Sequence, residues 1–258
     1  MSPQRKFRRI VPAVLAVLLA AGIADAALNL VSLDQEWSMR SDLHSQVASQ
    51  KRVMRDDYLS YIGNRIADQT PYGNRQWDFF IVEDPAVNAF NLPGGLVYVN
   101  SGLIAEADNL EQFAGVLAHE IGHGAARHGT QLMTRSYGYS AIAGLLLGRN
   151  AGQGKQMLAQ LVGVGVLTNY TRSAENEADK LGVEYAYRAG FDPDGAADFF
   201  RQLLDMRQRR PTRVEQFFSS HPLTEERIRN VESAANRYPD GRLIRDSRNF
   251  QNFRSRFR

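Results

Sequence analysis

The chain has 258 residues, 43% hydrophobic and 23% charged, which fits one large globular domain or two small ones and excludes collagen-like, coiled-coil and wholly disordered chains. It has no cysteine, which removes disulfide scaffolds, thiolate metal sites, cysteine nucleophiles and a lipid-modified amino-terminal cysteine together. The net charge of +3 is concentrated at the two ends, leaving 21 basic and 26 acidic residues between 27 and 241, so the body is not a nucleic-acid binder by charge.

Arg5, Lys6, Arg8 and Arg9 precede an apolar run from Ile10 to Ile23, and Ala24-Asp25-Ala26 then offers a small-x-small cleavage site. Residues 1–26 therefore read as a signal peptide, with an uncleaved anchor reaching Val31 as the alternative. A long helical stretch comes next, from Leu30 to Gln69, with Leu43, Val47, Val53, Met54, Leu59, Ile62 and Ile66 at mixed three and four spacing, ended by Pro71, Gly73 and Asn74. Trp77 to Val82 reads as one strand and Gly95 to Val99 as a second. Most of the chain after Ser101 reads as helical, which gives an α+β class: one mainly helical domain, residues 27–241, with a small sheet near its front.

Residues 137–168 hold Gly- and Leu-rich runs, each too short to span a bilayer; they read as packed helices, or as a lid or membrane-leaning hairpin. Residues 242–258 form a basic tail in which six Arg interleave with Phe250, Phe253 and Phe257. That pattern suits a frayed extension, or peripheral contact with acidic lipid or RNA.

The segment Asp108 to Gly129 reads as one helix, capped by Asp108 with Glu111 three residues on and stopped by Gly129. Phe113, Leu117 and Ile121 face the core, while His119, Glu120 and His123 share another face. The spacing His119-Glu120-x-x-His123 sets two imidazoles one turn apart, within reach of one zinc ion, with Glu120 placed to take a proton from water. His128 falls about half a turn out of phase and reads as a helix-end cation favoured by the dipole.

A catalytic zinc needs a third protein ligand, here His, Asp or Glu. The extended HExxHxxGxxH pattern fails because Gly129 stands at its last position. In the stretch from Ser173 to Asp179, capped by Thr171 or Ser173, Glu175 and Asp179 share a face and Glu177 points away. Spacing alone leaves two readings: Glu175 on the metal with Asp179 fixing a histidine tautomer, or an acidic first turn complementing the helix dipole. Arg172 either braces the acidic cluster or lies on the surface.

The pairing of His119-Glu120-Ile121-Gly122-His123 with Glu175-Asn176-Glu177-Ala178-Asp179 resembles the signature of the HtpX-like zinc metallopeptidases, relatives of the CAAX prenyl proteases. Asn88 to Asn100 and Ser220 to Arg227 look similar as well, so the resemblance covers roughly residues 55–235. It implies a zincin-type fold and a gluzincin endopeptidase with one zinc per chain, held by His119, His123 and Glu175, with Glu120 as the base. The multiple membrane spans of HtpX and of the prenyl proteases have no counterpart in this sequence, which points to the exported, largely soluble branch; as a departure from the family, no helical-repeat domain follows the protease region.

Gly94 and Gly95 permit close backbone approach, and the strand through Leu96, Val97 and Tyr98 is the candidate edge for an extended peptide substrate; an ordinary hairpin into a core strand is the alternative. His221 precedes Pro222 and reads as an oxyanion donor, as a fourth ligand in a resting state, or as a residue leading into a helix capped by Thr224. Export and resemblance together imply an endopeptidase of the periplasm or cell envelope acting on unfolded or misassembled proteins. The rival is an envelope chaperone or assembly factor, which has no need of Glu120.

Overall fold

A computed structural model describes residues 29–136, 170–239 and 241–258. Residues 1–26, expected to form a leader, and the stretch 137–168 lie outside the described residues. Where one helix is expected from Leu30 to Gln69, the chain instead forms α1 (Leu33–Ser38), α2 (Arg40–Gln50), β1 (Val53–Met54) and α3 (Asp57–Ala67). Two caps break it. Ser32 and Gln35 bond reciprocally at the start of α1, Ser32 N–H donating to Gln35 Oε1 at 2.8 Å and Gln35 N–H to Ser32 Oγ at 3.2 Å. Asp56 takes an extended backbone and accepts from the amides of Tyr58 and Leu59 at 2.9 and 3.0 Å. That cap starts α3 afresh and leaves Val53 and Met54 extended, paired with Val82 and Ile81.

The sheet continues with β2 (Asp78–Val82), β3 (Ala89–Leu92) and β4 (Leu96–Asn100), in the order β1-β2-β4-β3. β2 and β4 run parallel, while β3 lies antiparallel to β4. This corrects the reading of Leu96, Val97 and Tyr98 as an edge: β4 is interior and wholly buried, and β3 lies outside it at one edge of the sheet. The cause is the Pro93-Gly94-Gly95 turn, whose glycines adopt φ of 87° and 74° and fold β4 back between β3 and β2. A Cβ at Gly94 would lie 3.0 Å from the Glu36 carbonyl oxygen, so both φ and space demand glycine there. The two turn glycines therefore shape a hairpin.

Side chains alternate across the sheet with period two. Phe79, Ile81, Val97 and Val99 enter the main core, whereas Phe80, Val82, Leu96 and Tyr98 pack with Leu43 and Val47 of α2 in a second cluster. After β4 come α4 (Ser101–Glu106), α5 (Leu110–Ala125), a helix α6 described over residues 128–136, α7 (Arg172–Arg188), α8 (Gly195–Arg209), α9 (Pro211–Ser220), α10 (Glu225–Ala235) and α11 (Arg248–Ser255). The mainly helical α+β class expected from the sequence is what forms. No helix among the described residues is long and apolar enough to cross a membrane.

Every residue of α5 is buried, and Phe113, Leu117 and Ile121 sit in the main core as their spacing requires. Its cap is Asn109 instead of Asp108: Asn109 Oδ1 accepts from Gln112 N–H at 3.0 Å, and Gln112 Oε1 accepts from Asp108 N–H at 2.8 Å. Its end is Ala125 instead of Gly129, because Arg127 takes a left-handed φ of 60°. Arg127 is fixed there by Glu36 Oε2 at 2.7 Å and the Val31 carbonyl at 2.5 Å.

The basic tail is not frayed. Phe250 and Phe253 of α11 are buried in the main core, with the Phe250 ring centroid 5.4 Å from that of Phe113. Arg254 donates to the carbonyls of Ala105 and Asp108 at 3.2 and 3.1 Å. Residues 242–258 thus anchor the start of α5, because interleaved Phe and Arg form one apolar helix face with the charges beside it.

Candidate metal centre

Two glycines bring α5 and α7 together. A Cβ at Gly122 would lie 2.8 Å from the Ala178 carbonyl oxygen, and one at Gly182 3.0 Å from the His119 nitrogen. The close crossing sets Glu175 and Asp179, one turn apart on α7, against His119 and His123, one turn apart on α5. Thr171 caps α7, its hydroxyl accepting from Ala174 N–H at 3.2 Å. All four acidic and imidazole side chains are buried.

The inward atoms converge. His119 Nε2 is 3.1 Å from His123 Nε2 and 3.6 Å from Glu175 Oε2, and His123 Nε2 is 3.3 Å from Glu175 Oε1. His221, which comes directly after α9, adds Nδ1 at 3.1 Å from Glu175 Oε1 and 3.4 Å from His119 Nε2. One donor atom from each of these four residues lies within 4.8 Å of the others. Four ligands bonded at ~2.0–2.1 Å in a tetrahedron stand about 3.3–3.4 Å apart, so the spacing is that of a donor set around one small cation. The chemistry agrees: His119 Nδ1 lies 2.9 Å from Asp179 Oδ1 and must carry the proton to meet a carboxylate, which leaves the lone pair on the inward Nε2.

Glu120 is fully buried, and neither of its carboxylate oxygens has a hydrogen-bond partner among the described residues. Its nearest cationic neighbour is His221, with Nε2 3.3 Å from Oε1. Burial pushes the Glu120 carboxyl above its ordinary range. Burial acts the same way on Glu175, but His221 and then His123 outweigh it and hold that carboxyl well below the usual range. His221 is pushed up to about 9: burial opposes its charge, and the carboxylates of Glu175 and Glu120 prevail. His123 is held well below its usual value by burial.

Arg227 is the member of the cluster that sequence reasoning missed. Its Nε and Nη2 donate to the two oxygens of Asp179 at 2.8 and 2.7 Å, and Nη1 lies 2.6 Å from Glu175 Oε2. Of the two readings of Arg172, the surface one holds: it is exposed on the first turn of α7, the start of which faces outward. Arg227 stands three residues after the Thr224 cap, but no periodicity ties it to a carboxylate pair 48 residues away. Tyr170 was missed too: its ring stacks on His123 at 4.1 Å and its hydroxyl donates to Asn91 Oδ1 at 3.2 Å. His128 is not a helix-end cation. It is buried at the start of α6, with Nδ1 2.9 Å from His123 Nδ1, because the reversal at Arg127 resets the helical phase.

The profile of peptidase family M48 matches residues 54–235, well over half of the chain. The chain belongs to peptidase family M48. Relatives of this M48 chain include the mitochondrial metalloendopeptidase OMA1 of Schizosaccharomyces pombe, 31% identical over 211 residues, which covers 79% of the chain and 62% of the relative. The putative beta-barrel assembly-enhancing protease of Vibrio cholerae is 30% identical over 234 residues, 86% of the chain and 48% of the relative. The beta-barrel assembly-enhancing protease of Escherichia coli K12 is 30% identical over 226 residues, 82% of the chain and 46% of the relative. The chain thus spans about half the length of the two bacterial proteases.

Proposed function

We propose that this M48 chain is a zinc-dependent endopeptidase of the bacterial cell envelope that hydrolyses unfolded or misassembled proteins. The observation that carries this reading is the fully buried carboxylate of Glu120, with no hydrogen-bond partner among the described residues, beside a convergent set of His119, His123 and Glu175. His119, His123 and Glu175 would hold the zinc ion, which when bound would supply Lewis acidity toward the scissile carbonyl and water. Glu120 takes the proton from the attacking water and later hands it to the leaving amine. Its raised carboxyl range suits both steps. Asp179 and Arg227 orient the ligands, Asp179 through His119 Nδ1 and Arg227 through Glu175.

His221 completes the fourth corner of the donor set and pairs with Glu120 at the same time. This contact favours reading the arrangement as a resting one, in which His221 withdraws to admit substrate and then serves as a donor to the oxyanion. An extended peptide adds to β3, the outer strand beside α5, in place of the interior β4. The envelope location rests on the leader-like residues 1–26 and on relatives named for β-barrel assembly.

The test is cleavage of casein by the full chain, with and without chelator. Cleavage that chelation abolishes and added zinc restores supports the endopeptidase. A zinc-loaded chain that binds casein and leaves it intact supports the client-binding assembly factor instead.

A further inference from the structure

We propose that His128 is a positioning residue that fixes the tautomer of His123, so that the Nε2 lone pair of His123 faces the metal site, with Glu177 closing the chain of hydrogen bonds at the surface. The inference rests on the reading that the site holds zinc. It goes beyond that reading by assigning work to a histidine and a carboxylate outside the ligand set.

His123 Nε2 stands among the other donors, 3.1 Å from His119 Nε2 and 3.3 Å from Glu175 Oε1. A neutral imidazole has one N–H and one lone pair. If Nε2 offers its lone pair inward, the proton is on Nδ1 and needs an acceptor. The atom present is His128 Nδ1, at 2.9 Å. It can accept only if His128 carries its own proton on Nε2, and that nitrogen lies 3.4 Å from Glu177 Oε2, an acceptor at the protein surface. Each hydrogen bond thus points outward, and each fixes the tautomer of the ring before it. Helical phase turns Glu177 away from the metal, yet this chain of bonds gives its carboxylate a contact with the site.

The two ligand histidines are supported differently. His119 turns its outer nitrogen to the Asp179 carboxylate, which Arg227 neutralises. A second buried carboxylate behind His123 would add to the charge of Glu120, Glu175 and Asp179, whereas an imidazole accepts the same hydrogen bond without charge. The left-handed turn at Arg127, held by Glu36, delivers His128 to this place.

The experiment measures zinc affinity of the full chain by competition with a chromophoric chelator, for wild type, His128→Asn and His128→Gln, with melting temperatures taken alongside. The side-chain carbonyl of Asn reaches the position of Nδ1 and preserves the acceptor, while that of Gln extends to the position of Nε2 and does not. His128→Asn should bind zinc within a few-fold of wild type, and His128→Gln about 10- to 100-fold more weakly, with similar melting temperatures. Equal affinity in all three chains, or equal weakening in both variants, overturns the role of His128. A wild-type chain that takes up no zinc overturns the metal-site reading itself, and the tautomer role with it.

Discussion

The guanidinium of Arg227 joins Glu175 and Asp179, with Nη1 2.6 Å from Glu175 Oε2 and Nη2 2.7 Å from Asp179 Oδ1. Both carboxylates are buried, and removing the cation leaves Asp179 with only His119 Nδ1 against it and Glu175 without one of its buried cationic contacts. Arg227→Ala should cost about 3–5 kcal/mol of stability. Arg227→Lys should recover only part of it, because an ammonium cannot fork onto one carboxylate while reaching another. Denaturant unfolding checks this; an Ala variant as stable as wild type contradicts it.

His221→Ala removes the fourth donor and leaves His119, His123 and Glu175 in place. The variant should keep one zinc per chain, measured by elemental analysis, while its turnover of casein changes. Metal loss as complete as in His119→Ala would make His221 an obligatory ligand and remove its role as a residue that withdraws.

Phe250 is fully buried against Phe113 at the start of the helix that carries the two histidines. Truncation to Ala should cost about 3–5 kcal/mol, the range for large aromatic core residues. A chain shortened before residue 248 should lose at least as much. Unchanged unfolding midpoints would return the tail to the status of a loose extension.

Glu111, in the first turn of α5, has its carboxyl pushed up to about 7, first by burial and then by Asp192 and Asp198. In the unfolded chain it titrates near its ordinary 4.5. Between those two values the folded state keeps a proton that the unfolded state has released, so stability falls as pH rises through this window. Glu111→Gln removes the titration. The wild type should therefore lose stability relative to the variant between about pH 4.5 and about pH 7, and parallel stability curves for the two chains contradict the assignment.

Local order explains which parts of this protein were readable from its residues. His119, Glu120 and His123 are one turn apart on a single helix, as are Glu175 and Asp179, and helical phase alone predicts which side chains share a face. The capping of α7 by Thr171 and of α10 by Thr224 was legible for the same reason. What escaped depends on chain reversals and distant pairing. Arg127 in a left-handed conformation restarts the helical phase and carries His128 inward. The turn at Gly94 and Gly95 places β4 inside the sheet, which an alternating pattern cannot distinguish from an edge. Asp56 interrupts an apolar periodicity that suited one helix, because a cap outweighs a weak propensity. Arg227 meets Asp179 across 48 residues of sequence.

The most direct test of the account is Glu120→Gln in the zinc-loaded full chain, read by zinc content and by casein cleavage together. Glu120 makes no hydrogen bond among the described residues, and a Gln amide fills the same space beside His221 Nε2, which lies 3.3 Å from Glu120 Oε1. The variant should keep wild-type zinc content while cleavage falls by about 10²- to 10⁴-fold. Retained cleavage at full zinc content would contradict the role of Glu120 as the base and, with it, the mechanism proposed for this site.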